Sequence, residues 1–156
     1  MSSTDQHGVH SPFVYDFVTQ CLYQKRLSRE GKVMDVLLKS LAYFKSKNVL
    51  FVGVDARFQD EVLNRFPSLE LNLAPYDFIY IDILTEENMA TYIIDKKGVL
   101  KNTVVLVKGI HGKKEVETLW EGIKNAGQTR VTLDFFYGGL IFFREGQAKE
   151  HFKIRI

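Results

Sequence analysis

The fold class is decided by the stretch Tyr76-Asp77-Phe78-Ile79-Tyr80-Ile81-Asp82. It is a short apolar run that ends in a carboxylate, and comparable runs stand at Val49-Leu50-Phe51-Val52 and from Thr103 to Val107. Amphipathic segments with helical spacing separate these runs. Such alternation is typical of βαβ units, whose sheet is largely parallel and buried on both faces. The sequence therefore predicts an α/β domain.

Helices are predicted before, between and after these strands. The pair Ser11-Pro12 is typical of a helix start, and a second helix is predicted to begin after Ser28 and to end in Lys45-Ser46-Lys47. Asp55 and Thr85 are the expected N-caps of the helices that follow the first two core strands. The remaining predictions are a half-exposed strand with Leu69, Leu71 and Leu73, and a last helix with the apolar stripe Val116, Leu119, Trp120 and Ile123.

The last part of the chain has a different pattern. Two apolar segments, 129–136 and 140–144, flank Tyr137-Gly138-Gly139, which is the pattern of a β-hairpin. The sheet is therefore expected to close with antiparallel strands. No repeat or linker divides the chain, so we expect a single domain over residues 1–156, with an N-terminal arm and helices in 1–47 and the sheet core in 48–156.

Composition excludes several classes of protein. Lys+Arg 21 against Asp+Glu 19 gives a net charge of +2, too balanced to indicate a nucleic-acid or anionic-membrane partner. The single cysteine, Cys21, excludes an internal disulfide framework and favours a reduced, cytoplasmic setting. No run approaches the roughly 18 apolar residues of a membrane span, and the first residues lack the pattern of a secretion signal.

Ligands of open parallel sheets bind beyond the carboxyl ends of the strands, so polar residues there are the first candidates. Gly53 and Asp55 follow the first strand, where a glycine lets a ligand approach a helix N-terminus. The alternative is a plain strand-to-helix turn with Asp55 as N-cap. Arg57 and Phe58 favour that alternative, because a glycine-rich loop would need small residues at their positions.

Asp82 is the second candidate, since it follows the core strand that starts at Tyr76. A strand-end carboxylate in a cleft is well placed to orient a substrate, to bind a metal or to accept a phosphoryl group. It is equally well placed to cap the next helix, although Thr85 already offers a cap there. The sequence leaves these two roles open.

His111 is the third candidate and lies between Gly109 and Gly112, just before the last predicted helix. This position suits a general base that faces the cleft. The alternative is an exposed or hydrogen-bonding histidine, because the sequence shows no partner for it. Metal binding is not expected, since the neighbouring charges are those of lysines, which repel a cation: Lys108, Lys113 and Lys114.

Other reactive residues give weaker signals. His7 and His10 resemble a loose pair of metal ligands, but without a third ligand they are better interpreted as polar arm residues. Cys21 lies among apolar neighbours and is expected to be a buried hydrophobe. No nucleophile elbow, paired-cysteine motif or zinc-protease motif occurs in the sequence.

Four stretches together resemble a group of bacterial class I S-adenosylmethionine-dependent methyltransferase-like proteins. They are His7 to Val14, Tyr76 to Asp82, Ile110 to Trp120, and Val131 to Arg144. The resemblance implies a three-layer αβα Rossmann-like methyltransferase fold, with a mostly parallel sheet that ends in an antiparallel hairpin. It also implies S-adenosylmethionine as the cofactor of an active member.

The chain departs from the family at its cofactor site. The family holds the cofactor with an acidic residue on the first strand and a glycine-rich turn, and the matching positions here are Phe51 and Gly53 to Arg57, of which only Gly53 fits. In the family the next strand ends in an acidic residue that binds the ribose. Here only Pro67 to Pro75 precedes the Asp82 strand, which predicts that a helix-strand-helix segment is absent. Lys108-Gly109 replaces an Asp-Asp pair of the relatives.

Two functions follow from the resemblance. The first is a shortened, degenerate member that has lost ordinary catalysis. It acts by binding a small molecule or through homo-oligomer contacts at its aromatic end, the cluster Phe135-Phe136-Tyr137. The alternative is an active methyltransferase, in which Gly53 and Asp55 lie near the cofactor, Asp82 orients cofactor or acceptor, and His111 is the base. Nucleic-acid binding is a third class, for which the sequence gives little support.

Overall fold

The computed structural model describes residues 11–156, which form five α-helices and a seven-stranded sheet. The strands are β1 (Asn48–Val52), β2 (Glu70–Leu71), β3 (Tyr76–Ile81), β4 (Val99–Lys108), β5 (Val131–Asp134), β6 (Gly138–Phe142) and β7 (Glu150–Lys153). The helices are α1 (Pro12–Phe17), α2 (Lys32–Tyr43), α3 (Ala56–Arg65), α4 (Glu86–Asn88) and α5 (Lys114–Asn125). The π-helical turns Val18–Leu22 and Met89–Ile94 extend α1 and α4.

The sheet has the strand order β2-β1-β3-β4-β6-β5-β7. The strands β2, β1, β3 and β4 are mutually parallel, whereas β6 lies antiparallel between β4 and β5. This topology confirms the prediction of a mostly parallel sheet that ends in an antiparallel hairpin. The strand β7, parallel to β5, adds an edge that the sequence pattern had not predicted.

Helices cover both faces of the sheet, which gives the predicted three layers. Along β3, Phe78 and Tyr80 point into one apolar core, while Ile79 and Ile81 point into the other. The helices α1, α2 and α3 pack on the first face, and α5 with the extension of α4 packs on the second. Because both faces are covered, the strand ends remain as the open rims of the sheet.

The three predicted N-caps are confirmed. Ser11 accepts a hydrogen bond from the Val14 N–H, and Asp55 accepts one from the Phe58 N–H at 2.9 Å. Thr85 caps α4 by accepting a hydrogen bond from the Asn88 N–H, and the Asn88 Oδ1 in turn accepts one from the Thr85 N–H. These contacts satisfy main-chain donors that the first helical turn leaves without a partner.

Several predicted boundaries were wrong. The strand predicted from Thr103 begins at Val99, and Gly138 and Gly139 of the predicted hairpin turn already belong to β6. The second helix begins at Lys32 rather than after Ser28, because the Asp35 carboxylate accepts hydrogen bonds from the Leu27 and Ser28 N–H groups and holds that segment as a loop. The strand predicted over 69–73 contains only two residues, because Asn72 turns the chain with a φ of +62°. No helix within residues 11–156 is long and apolar enough to cross a bilayer.

Cys21 tests the depth of the core. Its side chain is buried, and burial raises the pKa of its thiol to about 12. We expect it to stay unreactive toward a thiol reagent near about pH 8, where an exposed cysteine is partly ionised. The reagent should titrate it fully once denaturant unfolds the chain. Fast stoichiometric labelling of the folded protein would contradict this packing.

Gly139 of β6 tests the contact between the sheet and α5. A Cβ at this position would overlap the Trp120 indole, which is buried and has little room to move. We expect Gly139→Ala to lower the free energy of unfolding by about 1–3 kcal/mol in urea denaturation. Gly127→Ala is the control, since no heavy atom lies near its added Cβ, and its effect should stay within about 0.5 kcal/mol. Equal losses in both variants would refute this packing argument.

Candidate functional site

A cleft of about 560 Å³ lies at the carboxyl ends of β1, β3 and β4. Asp55, Tyr80 and Lys108 line it from the sheet side, and the first turn of α2 lines it from the other side, starting at Gly31. Its charges are mixed, with Lys32, Arg57 and Lys108 balanced by Glu30, Asp55 and Glu61. The cleft is therefore where the topology predicts a ligand, and its lining selects no single sign of charge.

Three aromatic rings pack against one another at the ends of β1 and β3, beside the cleft. Phe58 of α3 stacks on Tyr80 with 4.9 Å between ring centroids, and it meets Phe51 edge-on at 5.6 Å. Phe51 itself is buried in β1, with its ring 6.3 Å from that of Tyr80. We call Phe51, Phe58 and Tyr80 the aromatic triad. Its members Phe58 and Tyr80 line the cleft and give its floor an aromatic surface.

Asp82 does not cap the following helix, so the structure removes the capping alternative. Its Oδ1 accepts a hydrogen bond from the Tyr80 hydroxyl at 2.9 Å and lies 3.9 Å from the Lys108 Nζ. The Thr85 side chain provides the cap instead. Burial, followed by the hydrogen bond to Asp82 and the charge of Asp82, raises the pKa of Tyr80, so the phenol keeps its proton.

Gly53 and Asp55 form the turn between β1 and α3. Gly53 has a φ of +79°, a conformation that glycine adopts without strain. A Cβ built on Gly53 would lie 3.7 Å from the Cβ of Asp82. One carboxylate oxygen of Asp55 accepts a hydrogen bond from the Phe58 N–H. These contacts are those of a strand-to-helix turn, and they place Asp55 at the cleft as well.

The strand β2 ends far from this rim. It pairs only with Asn48 and Val49 of β1, and the Asn72 side chain then accepts a hydrogen bond from the Phe51 N–H at 3.2 Å. Four residues later the chain enters β3. The predicted absence of a helix-strand-helix segment before β3 is therefore a feature of the fold, and β2 delivers no side chain to the carboxyl rim.

His111 has a partner that the sequence pattern missed. Its Nε2 lies 2.6 Å from Oδ2 of Asp134, a residue 23 positions later at the end of β5. The other oxygen of Asp134 accepts the Phe136 N–H at 2.8 Å, and the Phe136 ring stacks on the imidazole. A strand-end carboxylate at the same rim was the available signal, and Asp134 has that position.

The candidates thus fall into two groups along one rim. Gly53, Asp55 and Asp82 surround the ends of β1 and β3, whereas His111 lies beyond β4, next to β5. The Gly109 N–H to Tyr137 carbonyl hydrogen bond joins the loops of the second group. His7 and His10 lie outside the described residues. Across residues 11–156, no three histidine, cysteine or acidic side chains come together as metal ligands.

Replacing Tyr80 by phenylalanine tests the floor of the cleft. A raised tyrosine pKa means that the folded state keeps a proton that the unfolded chain releases above about pH 10, so stability falls as pH rises through that value. Tyr80→Phe should lose less stability than the wild type between about pH 9 and pH 11. Near neutral pH it should be less stable by about 1 kcal/mol, because Asp82 loses a donor.

The measurement is denaturant unfolding across that pH range. Tyr15→Phe is the matched control, since Tyr15 is exposed, and it should follow the wild-type pH dependence. Parallel pH dependences for the wild type and Tyr80→Phe would count against a buried, hydrogen-bonded phenol.

No protein-family model matches the chain, and no curated protein sequence matches it. Among solved structures, the chain is similar to one described as a "putative caffeoyl-CoA O-methyltransferase from Staphylococcus aureus". The TM-score is 0.51 at 14% sequence identity, and the alignment covers 89% of this chain and 94% of that chain. At this identity the similarity establishes the fold and not the activity. The chain therefore has the Rossmann-like methyltransferase fold.

Proposed function

We propose that this protein is a methyltransferase-like binding protein that has lost S-adenosylmethionine-dependent catalysis. The carrying observation is the aromatic triad, which occupies the end of β1 and β3 with packed rings. In the family that the sequence resembles, this is where the cofactor is held. The residues present do not fit that group, for three reasons given in turn.

The first reason is the chemistry of β1. The position at which the family has an acidic residue is Phe51, whose ring is buried against Phe58 and Tyr80. A phenyl ring cannot accept a hydrogen bond from a polar ligand as a carboxylate does. Phe58 also covers the strand end from α3, so the turn at Gly53 opens next to a ring rather than onto a polar cradle.

The second reason is the missing strand end. An acidic residue after the second strand would have to reach the carboxyl rim to bind a ribose. β2 stops at the level of Val49, and the residue that follows it is Asn72, whose side-chain Oδ1 accepts a hydrogen bond from the Phe51 N–H. Within residues 11–156, β2 therefore supplies no acidic side chain at the carboxyl rim that could bind a ribose.

The third reason concerns metal-assisted transfer. The one acidic side chain at the end of β3, Asp82, already has the Lys108 ammonium and the Tyr80 hydroxyl as neighbours. A divalent ion prefers several oxygen ligands, and the ammonium group competes with it for the carboxylate. Lys108 thus works against a cation at this point of the rim.

A binding role remains for the same cleft. Its volume of about 560 Å³ suits a small molecule, and its floor offers aromatic surface with charges of both signs around it. The aromatic end provides a surface next to the cleft, because Phe136 and Tyr137 are exposed there and Tyr137 also lines the cleft. We propose small-molecule binding in the cleft and self-association through the aromatic end as the two activities of this protein.

Calorimetric and thermal-shift titration with S-adenosylmethionine and S-adenosylhomocysteine tests the proposal. A ligand that binds only the folded state adds about 2.7 kcal/mol of stability at a hundredfold excess over its Kd. We expect no rise in Tm and no heat of binding for either compound at millimolar concentration. An active S-adenosylmethionine-dependent methyltransferase, titrated in parallel, is the control.

Saturable binding together with a methylated product would overturn the proposal. That outcome would favour the active alternative, with Gly53 and Asp55 near the cofactor, Asp82 as orienting residue and His111 as base. His111→Ala would then separate the roles, since a general base contributes about 10²–10⁴-fold to the rate without being needed for cofactor binding.

A further inference from the structure

The pairing of His111 with Asp134 fixes which ring nitrogen is available. The carboxylate can only accept hydrogen bonds, so in the neutral imidazole the proton lies on Nε2, which is 2.6 Å from Asp134. The lone pair is then on Nδ1, and no residue in the described range 11–156 forms a hydrogen bond with that atom. About a third of the His111 side chain is exposed.

Asp134 is built to hold this arrangement. Its side chain is nine-tenths buried, and its two oxygens are used by the His111 ring and by the Phe136 N–H. Phe136 has a φ of +74°, which is strained for a residue with a bulky side chain, and its exposed ring stacks on the imidazole at 5.7 Å. Strain of this kind is typical of functional sites.

The charged residues around Nδ1 of His111 determine which ligands approach it most readily. The stretch from Lys108 to Lys114 contains three lysines and no acidic residue, and the next carboxylate along the chain is Glu115. Gly109 and Gly112 flank the histidine, and no heavy atom lies within 4 Å of a Cβ built at Gly109. Lys108 faces Asp82 and the Asp134 carboxylate contacts the ring, but the loop itself has three lysines and no acidic residue, which favours the approach of a compact dianion over that of a cation.

We propose that Nδ1 of His111 is a nucleophile that accepts a phosphoryl group, with Asp134 as its positioning residue. The donor is a compound with a nitrogen-linked or acyl-linked phosphoryl group. The Nδ1 lone pair forms the new N–P bond, and the bond between phosphorus and the donor's leaving group breaks with its electron pair. With phosphoramidate as donor, the leaving group departs as ammonia.

The carboxylate of Asp134 makes this step easier. When Nδ1 bonds to phosphorus while Nε2 keeps its proton, the ring becomes cationic, and the carboxylate at 2.6 Å stabilises that charge. Lys113 and Lys114, two and three residues after His111, add positive charge that favours the transferred group. This proposal goes beyond the proposed function and needs no adenosyl ligand, so S-adenosylmethionine binding would refute that function and leave the present proposal standing.

Chemical phosphorylation of the full chain with potassium phosphoramidate provides the test. Intact-mass analysis should show one phosphoryl group that is lost in acid, and fragmentation should place it on His111 ahead of His7, His10 and His151. His111→Gln should abolish this fast modification. Asp134→Asn should slow it by about tenfold or more, because one amide oxygen cannot serve both the ring and the Phe136 N–H, and the negative charge is gone.

His151→Ala is the matched control. The Nδ1 atom of His151 lies 2.8 Å from the Thr132 hydroxyl, so this nitrogen already has a hydrogen-bond partner. Removing the His151 side chain should therefore leave the rate of His111 phosphorylation unchanged. Modification that is spread evenly over all four histidines, or an Asp134→Asn rate equal to that of the wild type, would overturn the proposal. If Asp134→Asn does not fold, ¹⁵N NMR of the wild type provides the test instead. A proton on Nδ1 of neutral His111 would overturn the proposal, which requires the proton on Nε2.

Discussion

The burial of β3 on both faces is the constraint on which the rest of the molecule depends. Phe78 and Tyr80 point into one core while Ile79 and Ile81 point into the other, so helices must cover both sides of the sheet. Function is thereby restricted to the rims and to side chains that emerge at strand ends. Both groups of candidate residues lie on the carboxyl rim, and neither could lie on a face.

The two groups differ in how the fold treats them. At the ends of β1 and β3, aromatic rings pack against one another, and the Asp82 carboxylate lies 3.9 Å from the Lys108 ammonium. At the end of β5, a buried carboxylate is kept and aimed at an exposed imidazole. One rim of the sheet thus has packed aromatic rings at one part and a histidine–carboxylate pair at another part.

Much of this could be predicted from local patterns. The apolar runs gave the core strands, and Ser11, Asp55 and Thr85 marked helix starts, because capping depends only on neighbours in sequence. The contact between His111 and Asp134 was missed although Asp134 carried a signal, because the sequence pattern did not show that β6 lies between β4 and β5 and so brings the two residues together. The alternation of Phe152 and Ile154 with polar residues was visible, and it was the missed signal for β7.

The shortness of β2 leaves its neighbour with little cover along one side. β1 pairs with β2 only through its first two residues. Beyond them, the Phe51 N–H donates a hydrogen bond to the side-chain oxygen of Asn72. An open strand of apolar residues is a template for adding strands from other molecules. Asn72 therefore takes up one edge donor of β1, the Phe51 N–H, which leaves one group fewer for pairing with a strand of another molecule.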